Sequence, residues 1–173
     1  MKTTAIEIAQ GIGRLKVLIV DDEPSMRKVT RALLQSIGVK TIFDAIDGRS
    51  GLEAICTWSP DLVILDWEMP SPNGPEFMRA VRAPDSFPMP DVPIIMLTGH
   101  SERSRVLEAM QLGVNEYLIK PVSSTALLAR IVSILAKPRR MTKQGDYYGP
   151  EPRKPTPLKP EPDPGFDNIV LIN

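Results

Sequence analysis

Cysteine is all but missing from this 173-residue chain, which holds Cys56 alone. No intrachain disulfide can form, so a disulfide-stapled secreted scaffold is excluded. Net charge is missing too. The 21 basic and 21 acidic residues cancel, and a general nucleic-acid coat normally carries a strong basic excess. No run of 18 apolar residues occurs, so no membrane-spanning helix is expected. The opening stretch MKTTAIEIAQGIG lacks a continuous apolar segment, because Glu7 and Gln10 interrupt it. No signal peptide is expected from it, and the cytoplasm is the expected compartment. What is present is an ordinary globular mixture, 42% apolar and 24% charged. The length suits one domain, or one domain with an appendage, large enough to bury a real core.

Proline is the one residue in excess, with 18 in the chain and eight of them from Lys137 onward. Repeated X-Pro steps remove backbone donors and hold the preceding residues extended. Residues 137–173 are therefore expected to form an extended, largely disordered tail. Its last stretch, Phe166 to Asn173, is apolar again and reads either as a frayed end or as a short segment that adds to a sheet edge. The expected division is an N-terminal extension over 1–14, a domain over 15–136 and the proline-rich tail over 137–173. No internal repeat is visible.

Within the body, strand and helix signals alternate. Lys16–Val20 is a short β-branched run. Pro24–Ile37 follows as a helix, with Met26, Val29, Leu33 and Ile37 on one face and Gly38 as its stop. Thr41–Ala45 is a second strand and Asp47–Cys56 a short helix. Asp61–Leu65 is a third strand, continuously apolar as a strand covered on both faces should be. Then come a helix over Pro75–Arg82, a strand over Pro93–Leu97, a helix over Glu102–Leu112, a strand over Asn115–Ile119 and a last helix over Ser123–Ala136. Five such βα units predict a doubly wound (βα)5 flavodoxin-like α/β fold with a five-stranded parallel sheet. The site of such a fold lies beyond the carboxyl ends of the strands.

The chemistry is concentrated at those ends. Asp21 and Asp22 follow the first strand, Asp66 the third, Thr98 the fourth and Lys120 the fifth. Gathered on one edge, three carboxylates repel and call for a cation. An all-oxygen donor set suits Mg²⁺. A lysine and a hydroxyl beside them would hold an incoming anion, and the combination is a phosphoryl site.

The stretches VLIVDDEPSMRKVTRALL, PDLVILDWEMPSPNGPEFMRAVR, PIIMLTGH and GVNEYLIKPV carry a resemblance. In this order, and at these strand ends, the body resembles the receiver domain of two-component response regulators, the CheY-like family, from residue 16 to about 136. The resemblance implies a signalling domain, not an enzyme acting on a separate substrate. Asp66 would be the phosphoacceptor, charged by a sensor histidine kinase or a histidine phosphotransfer protein. Asp21 and Asp22 would hold Mg²⁺ together with Asp66 and the backbone carbonyl of Glu68. Thr98 and Lys120 would bind phosphoryl oxygens, the bond from Lys120 to Pro121 would be cis, and Tyr117 would be an aromatic switch. Output would pass to an unknown downstream protein or a homodimer, with DNA not expected as a target. The alternative within this class is a relay intermediate or phosphate sink.

Each residue also has a plainer reading. Asp21 and Asp22 could be a capping turn before Pro24, and Thr98 or Ser101 could cap the next helix. Lys120 could be a surface ammonium and Tyr117 packing. His100, the single histidine, reads as an exposed loop residue near the site mouth, and its being alone argues against a built-in phosphotransfer domain. Arg27, Lys28 and Arg31 read as a solvated face or part of a kinase docking surface. Glu68 departs from the family pattern by adding a fourth acid, and Pro72 and Asn73 alter the loop before Gly74. Leu127, Leu128, Ile131, Val132, Ile134 and Leu135 make the last helix more apolar than one sheet contact needs, suggesting a further contact. Two other classes compete. A haloacid-dehalogenase-type phosphohydrolase also uses Asp, Thr, Lys and Mg²⁺, but with its nucleophile on the first strand. A DNA-binding regulator would rest on Lys137, Arg139 and Arg140 alone.

Overall fold

Apolar runs only five residues long can form a stable sheet if both faces are covered, and here they are. The computed structural model describes residues 4–153 and places β1 at Lys16–Val20, β2 at Thr41–Ala45, β3 at Leu62–Asp66, β4 at Ile94–Thr98 and β5 at Glu116–Ile119. They form one parallel sheet in the order β2-β1-β3-β4-β5. The order reverses at β1, as a doubly wound fold requires. β3 and β4 are buried along their whole length, as central parallel strands are.

The helices are α1 (Ala5–Arg14), α2 (Pro24–Ile37), α3 (Gly48–Trp58), α4 (Gly74–Val81), α5 (Arg103–Gln111) and α6 (Ser124–Ala136). Alternate strand residues face opposite layers. Leu18, Val20, Val63, Leu65, Ile94 and Met96 pack against Ile55 of α3, Phe77 and Met78 of α4 and Ala109 of α5. Val17, Ile19, Ile64, Ile95 and Leu97 face Leu34 of α2 and Leu127 and Ile131 of α6.

The N-terminal extension is a helix. Thr4 and Glu7 form a reciprocal capping box that starts α1. Ile8, Ile12 and Leu15 join the layer containing Leu127 and Ile131. The surplus apolar surface of the last helix is thus covered in part by the chain itself.

The expected tail requires a correction. Residues 137–153 are not an extended run: β6 (Met141–Gln144) and β7 (Tyr147–Pro150) make an antiparallel hairpin. The prolines are unevenly spread, and the eleven residues from Arg139 to Gly149 contain none. Gly145 opens the two-residue turn with φ 58°, a conformation that suits glycine. A lone hairpin is marginal in water, and this one is docked. Arg139 donates to the Asn115 carbonyl and the Tyr148 hydroxyl to Asp91. Gly149 lies so close to Gly113 that an added Cβ would come 2.7 Å from the Gly113 Cα. The Phe166–Asn173 stretch, read as a frayed end or a docking segment, lies outside the described residues.

Candidate functional site

The parallel register sets the site. Val20 pairs with Leu65, Asp66 with Leu97 and Thr98 with Ile119, so Asp66 and Thr98 at the ends of β3 and β4 and the residues following β1 and β5 emerge on one edge. Asp66 and Asp21 are buried, at 4% and 2% exposure, and Asp22 is exposed. One carboxylate oxygen from each of the three lies within 4.8 Å of the others. Lys120 Nζ stands 2.9 Å from Asp66 Oδ1 and 3.8 Å from Asp21 Oδ2.

Burial dominates the electrostatics. Desolvation pushes the Asp66 carboxyl above its ordinary value, against the opposing hydrogen bond and charge of Lys120. Desolvation raises Asp21 as well, opposed by the Glu23 backbone N–H and by Lys120. One ammonium does not offset two sheltered carboxylates and a third at the rim. The donors are hard oxygens at converging positions, so the residues fit a Mg²⁺ ion, which takes one or two carboxylates plus water and phosphate oxygens.

The plainer readings fare unevenly. Glu23 is the N-cap of α2 and makes no side-chain capping bond, while Asp21 Oδ1 accepts the Glu23 N–H at 2.8 Å, so Asp21 does form a turn before Pro24 as well as lining the acid pocket. Thr98 is fully buried. Its Oγ1 accepts the His100 N–H at 3.0 Å, while α5 has Glu102 as its N-cap and no side-chain capping bond. Neither Thr98 nor Ser101 serves as the cap. The Lys120–Pro121 peptide is cis, as is Ser71–Pro72. Tyr117 is buried, and its hydroxyl donates to the His100 carbonyl at 2.7 Å.

His100 is a partly exposed loop residue at the site mouth, as read from the sequence, but it is engaged there. Its imidazole stands between two carboxylates, touching Glu68 Oε1 through Nε2 and lying 3.4 Å from Glu102 Oε2 through Nδ1. The Glu68 side chain therefore engages His100 across the site mouth. Arg27 donates to the Asp21 carbonyl at 2.8 Å, and Arg31 pairs with Asp44 at 2.9 Å. Both cations thus have partners within the chain. Sequence reasoning missed the Arg105 guanidinium 5.6 Å above the Trp67 ring, beside Asp66. It also missed Arg82, which donates to the carbonyls of Gly113 and Val92 and to Asn115 Oδ1. The signal for Arg82 would have been a cation closing an apolar helix.

Geometry and topology together define a doubly wound α/β domain with an acid pocket and a lysine at the carboxyl edge of its sheet. The family model for the response regulator receiver domain matches residues 17–132. The chemotaxis protein CheY of Pseudomonas aeruginosa is 34% identical over 123 residues, which cover 71% of this chain and 98% of that protein. CheY-3 of Vibrio cholerae is 32% identical, with 71% and 93% covered. Among solved structures, a putative response regulator from Chloroflexus aurantiacus superposes with a TM-score of 0.65 at 30% identity, covering 71% of this chain and 98% of that one. Chemotaxis protein CheY4 of Vibrio cholerae gives 0.59 at 34% identity, with 66% and 93% covered. The chain belongs to the response regulator receiver family and is a homologue of the CheY chemotaxis response regulators. No helix among the described residues is long and apolar enough to cross a membrane.

Proposed function

We propose that the protein receives a phosphoryl group on Asp66 from a phosphohistidine of a sensor kinase or histidine phosphotransfer protein, and that it signals through protein contacts. The observation that carries this reading is the buried Asp66 carboxylate with Lys120 Nζ at 2.9 Å and two further acids at its side. Mg²⁺ held by Asp21, Asp22, Asp66 and the Glu68 backbone carbonyl would neutralise charge on the transferring group. A carboxylate oxygen of Asp66 attacks phosphorus, the P–N bond of the donor breaks, and the imidazole departs with its electron pair. Lys120 then turns from Asp66 to a phosphoryl oxygen, and the Thr98 hydroxyl donates to another. The Thr98 oxygen also accepts the His100 N–H, so a movement of this hydroxyl toward the phosphoryl group is coupled to the loop that Tyr117 holds. With no net charge to neutralise DNA phosphates, the expected target is a protein, a second copy included.

The test is Mg²⁺-dependent labelling by acetyl phosphate or by a phosphorylated kinase. Asp66→Asn keeps the shape and removes the anionic nucleophile, and labelling should disappear. Undiminished label mapped to another residue would sink the assignment.

A further inference from the structure

Arg153 crosses from the C-terminal segment to β5 and α6. Its guanidinium meets the Glu116 carboxylate and lies 3.2 Å from Ser133 Oγ. Glu116 is only 3% exposed. It also takes a hydrogen bond from Ser133 at 3.0 Å and faces Arg130 at 3.6 Å. Arg139 fastens the other end of the segment, donating to the Asn115 carbonyl and, at 3.3 Å, to the Glu151 carbonyl. The Glu151 N–H closes the unit on the Arg140 carbonyl at 2.7 Å. Residues 139–153 are therefore stapled to Asn115 and Glu116, the start of β5. Tyr147, Pro150 and Pro152 form one wall of an apolar groove of about 470 Å³, and Leu107 and Met110 of α5 form the other.

β5 is four residues long. Lys120 leaves its far end and binds Asp66, Tyr117 in its middle binds the His100 carbonyl, and Glu116 at its start binds Arg153. All three contacts exist together in the arrangement with Lys120 bonded directly to Asp66. We propose that residues 139–153 are a strap, closed on β5 and α6 while Asp66 is unmodified and loosened when Asp66 carries a phosphoryl group, which opens the groove beside Leu107 and Met110. The proposal rests on the phosphoacceptor reading above. A phosphoryl group takes Lys120 from the Asp66 carboxylate and draws toward itself the Thr98 hydroxyl, which carries the His100 N–H on its oxygen. The loop that fixes Tyr117 then shifts, and a strand this short transmits the shift to Glu116. The Arg153 contact is charged and sheltered, so its geometry is demanding, and a displaced Glu116 loses it.

The experiment uses the full chain carrying Trp58→Phe, with and without beryllofluoride and Mg²⁺. Trp67, then the single tryptophan and adjacent to Asp66, reports occupancy of the site by fluorescence. Hydrogen exchange reports the strap. With the probe bound, amides of Thr142, Tyr147 and Glu151, which lie at the hydrogen-bonded pairs of the hairpin, should exchange at least about tenfold faster, while those of β1 and β3 stay unchanged. Arg153→Ala should give the fast strap exchange without the probe, its Trp67 response intact. Unchanged or slower strap exchange in the presence of a Trp67 response would overturn the strap and leave the phosphoacceptor reading standing. Absence of any Trp67 response would overturn the site reading and the strap with it.

Discussion

Lys120 and Asp66 lie 54 positions apart in sequence and make a direct 2.9 Å bond from ammonium to carboxylate, with Asp21 completing the group at 3.8 Å. The pair is sheltered, and the single cation falls short of offsetting the burial of both acids. The resting site is therefore electrostatically unsatisfied, which is the condition under which a divalent cation and an anion with accessible oxygens bind together.

That imbalance has a consequence for stability. Asp21→Asn removes a buried charge that desolvation penalises, so in Mg²⁺-free buffer at neutral pH the melting temperature should rise by about 2–4 °C. The same variant should lose most of the stabilisation that millimolar Mg²⁺ gives the parent, because a ligand that binds only the folded state stabilises it through its affinity. Calorimetry with and without Mg²⁺ checks both signs. A variant less stable than the parent in Mg²⁺-free buffer would contradict the electrostatic reading.

The pH dependence follows with an unusual sign. Burial holds the Asp21 and Asp66 carboxyls above the ordinary aspartate value of 3.8 in the folded protein. Between that value and the raised ones, the folded protein holds more protons than the unfolded chain. Their contribution to stability therefore grows as pH falls through this window. Glu7, Asp47 and Glu102 shift the other way, each lowered chiefly by a backbone hydrogen bond, as does Glu76, lowered chiefly by the Ser71 hydroxyl, and all four lose stabilisation in acid. Urea titrations of the parent and of Asp21→Asn/Asp66→Asn without divalent ions separate the two groups. The parent should lose less stability than the double variant on acidification from neutral pH.

The site was legible in the sequence because each of its residues ends or directly follows an apolar strand. In a parallel sheet, strand ends converge whatever the intervening loops do. Asp21, Asp66, Thr98 and Lys120 all meet that condition. The hairpin was hidden by averaging, since the proline excess of the last 37 residues masks the proline-free interval containing Gly145 and its flanking pairs. The helix at Ala5–Arg14 was signalled only by Thr4 and Glu7, three residues apart. The His100–Glu68 contact depends on the shapes of two loops, which no periodicity encodes.

Truncation after Ala136 tests the hairpin against the disordered-tail expectation. Arg82 is buried, which pushes its guanidinium down to about 10, and Tyr147 and Tyr148 stand among its neighbours. Removal of residues 137–173 opens Arg82 and Gly113 to water and leaves Glu116 without Arg153. The loss should be about 2–4 kcal/mol in urea unfolding, the scale of one or two charge-assisted hydrogen bonds. A truncated protein as stable as the parent would mean that the hairpin contributes nothing to the body.

Gly149→Ala probes the same docking by a single methyl group. A Cβ at Gly149 would stand 2.7 Å from the Gly113 Cα and 2.6 Å from the Tyr147 hydroxyl oxygen. The first neighbour is backbone and cannot rotate away, so the hairpin must lift or Gly113 must shift. Overpacking of this kind costs about 1–3 kcal/mol. Gly38→Ala is the control. Gly38 has a positive φ of 110° but nothing within 4 Å of its added Cβ, so backbone strain is its whole penalty. That strain should cost about 1–2 kcal/mol and leave the hairpin in place. Hydrogen exchange distinguishes the two variants beyond their melting temperatures. Gly149→Ala should speed exchange at Thr142, Tyr147 and Glu151 relative to the sheet, whereas Gly38→Ala should leave that ratio unchanged. Equal ratios in both variants would show that the Gly113–Gly149 approach does not hold the hairpin down.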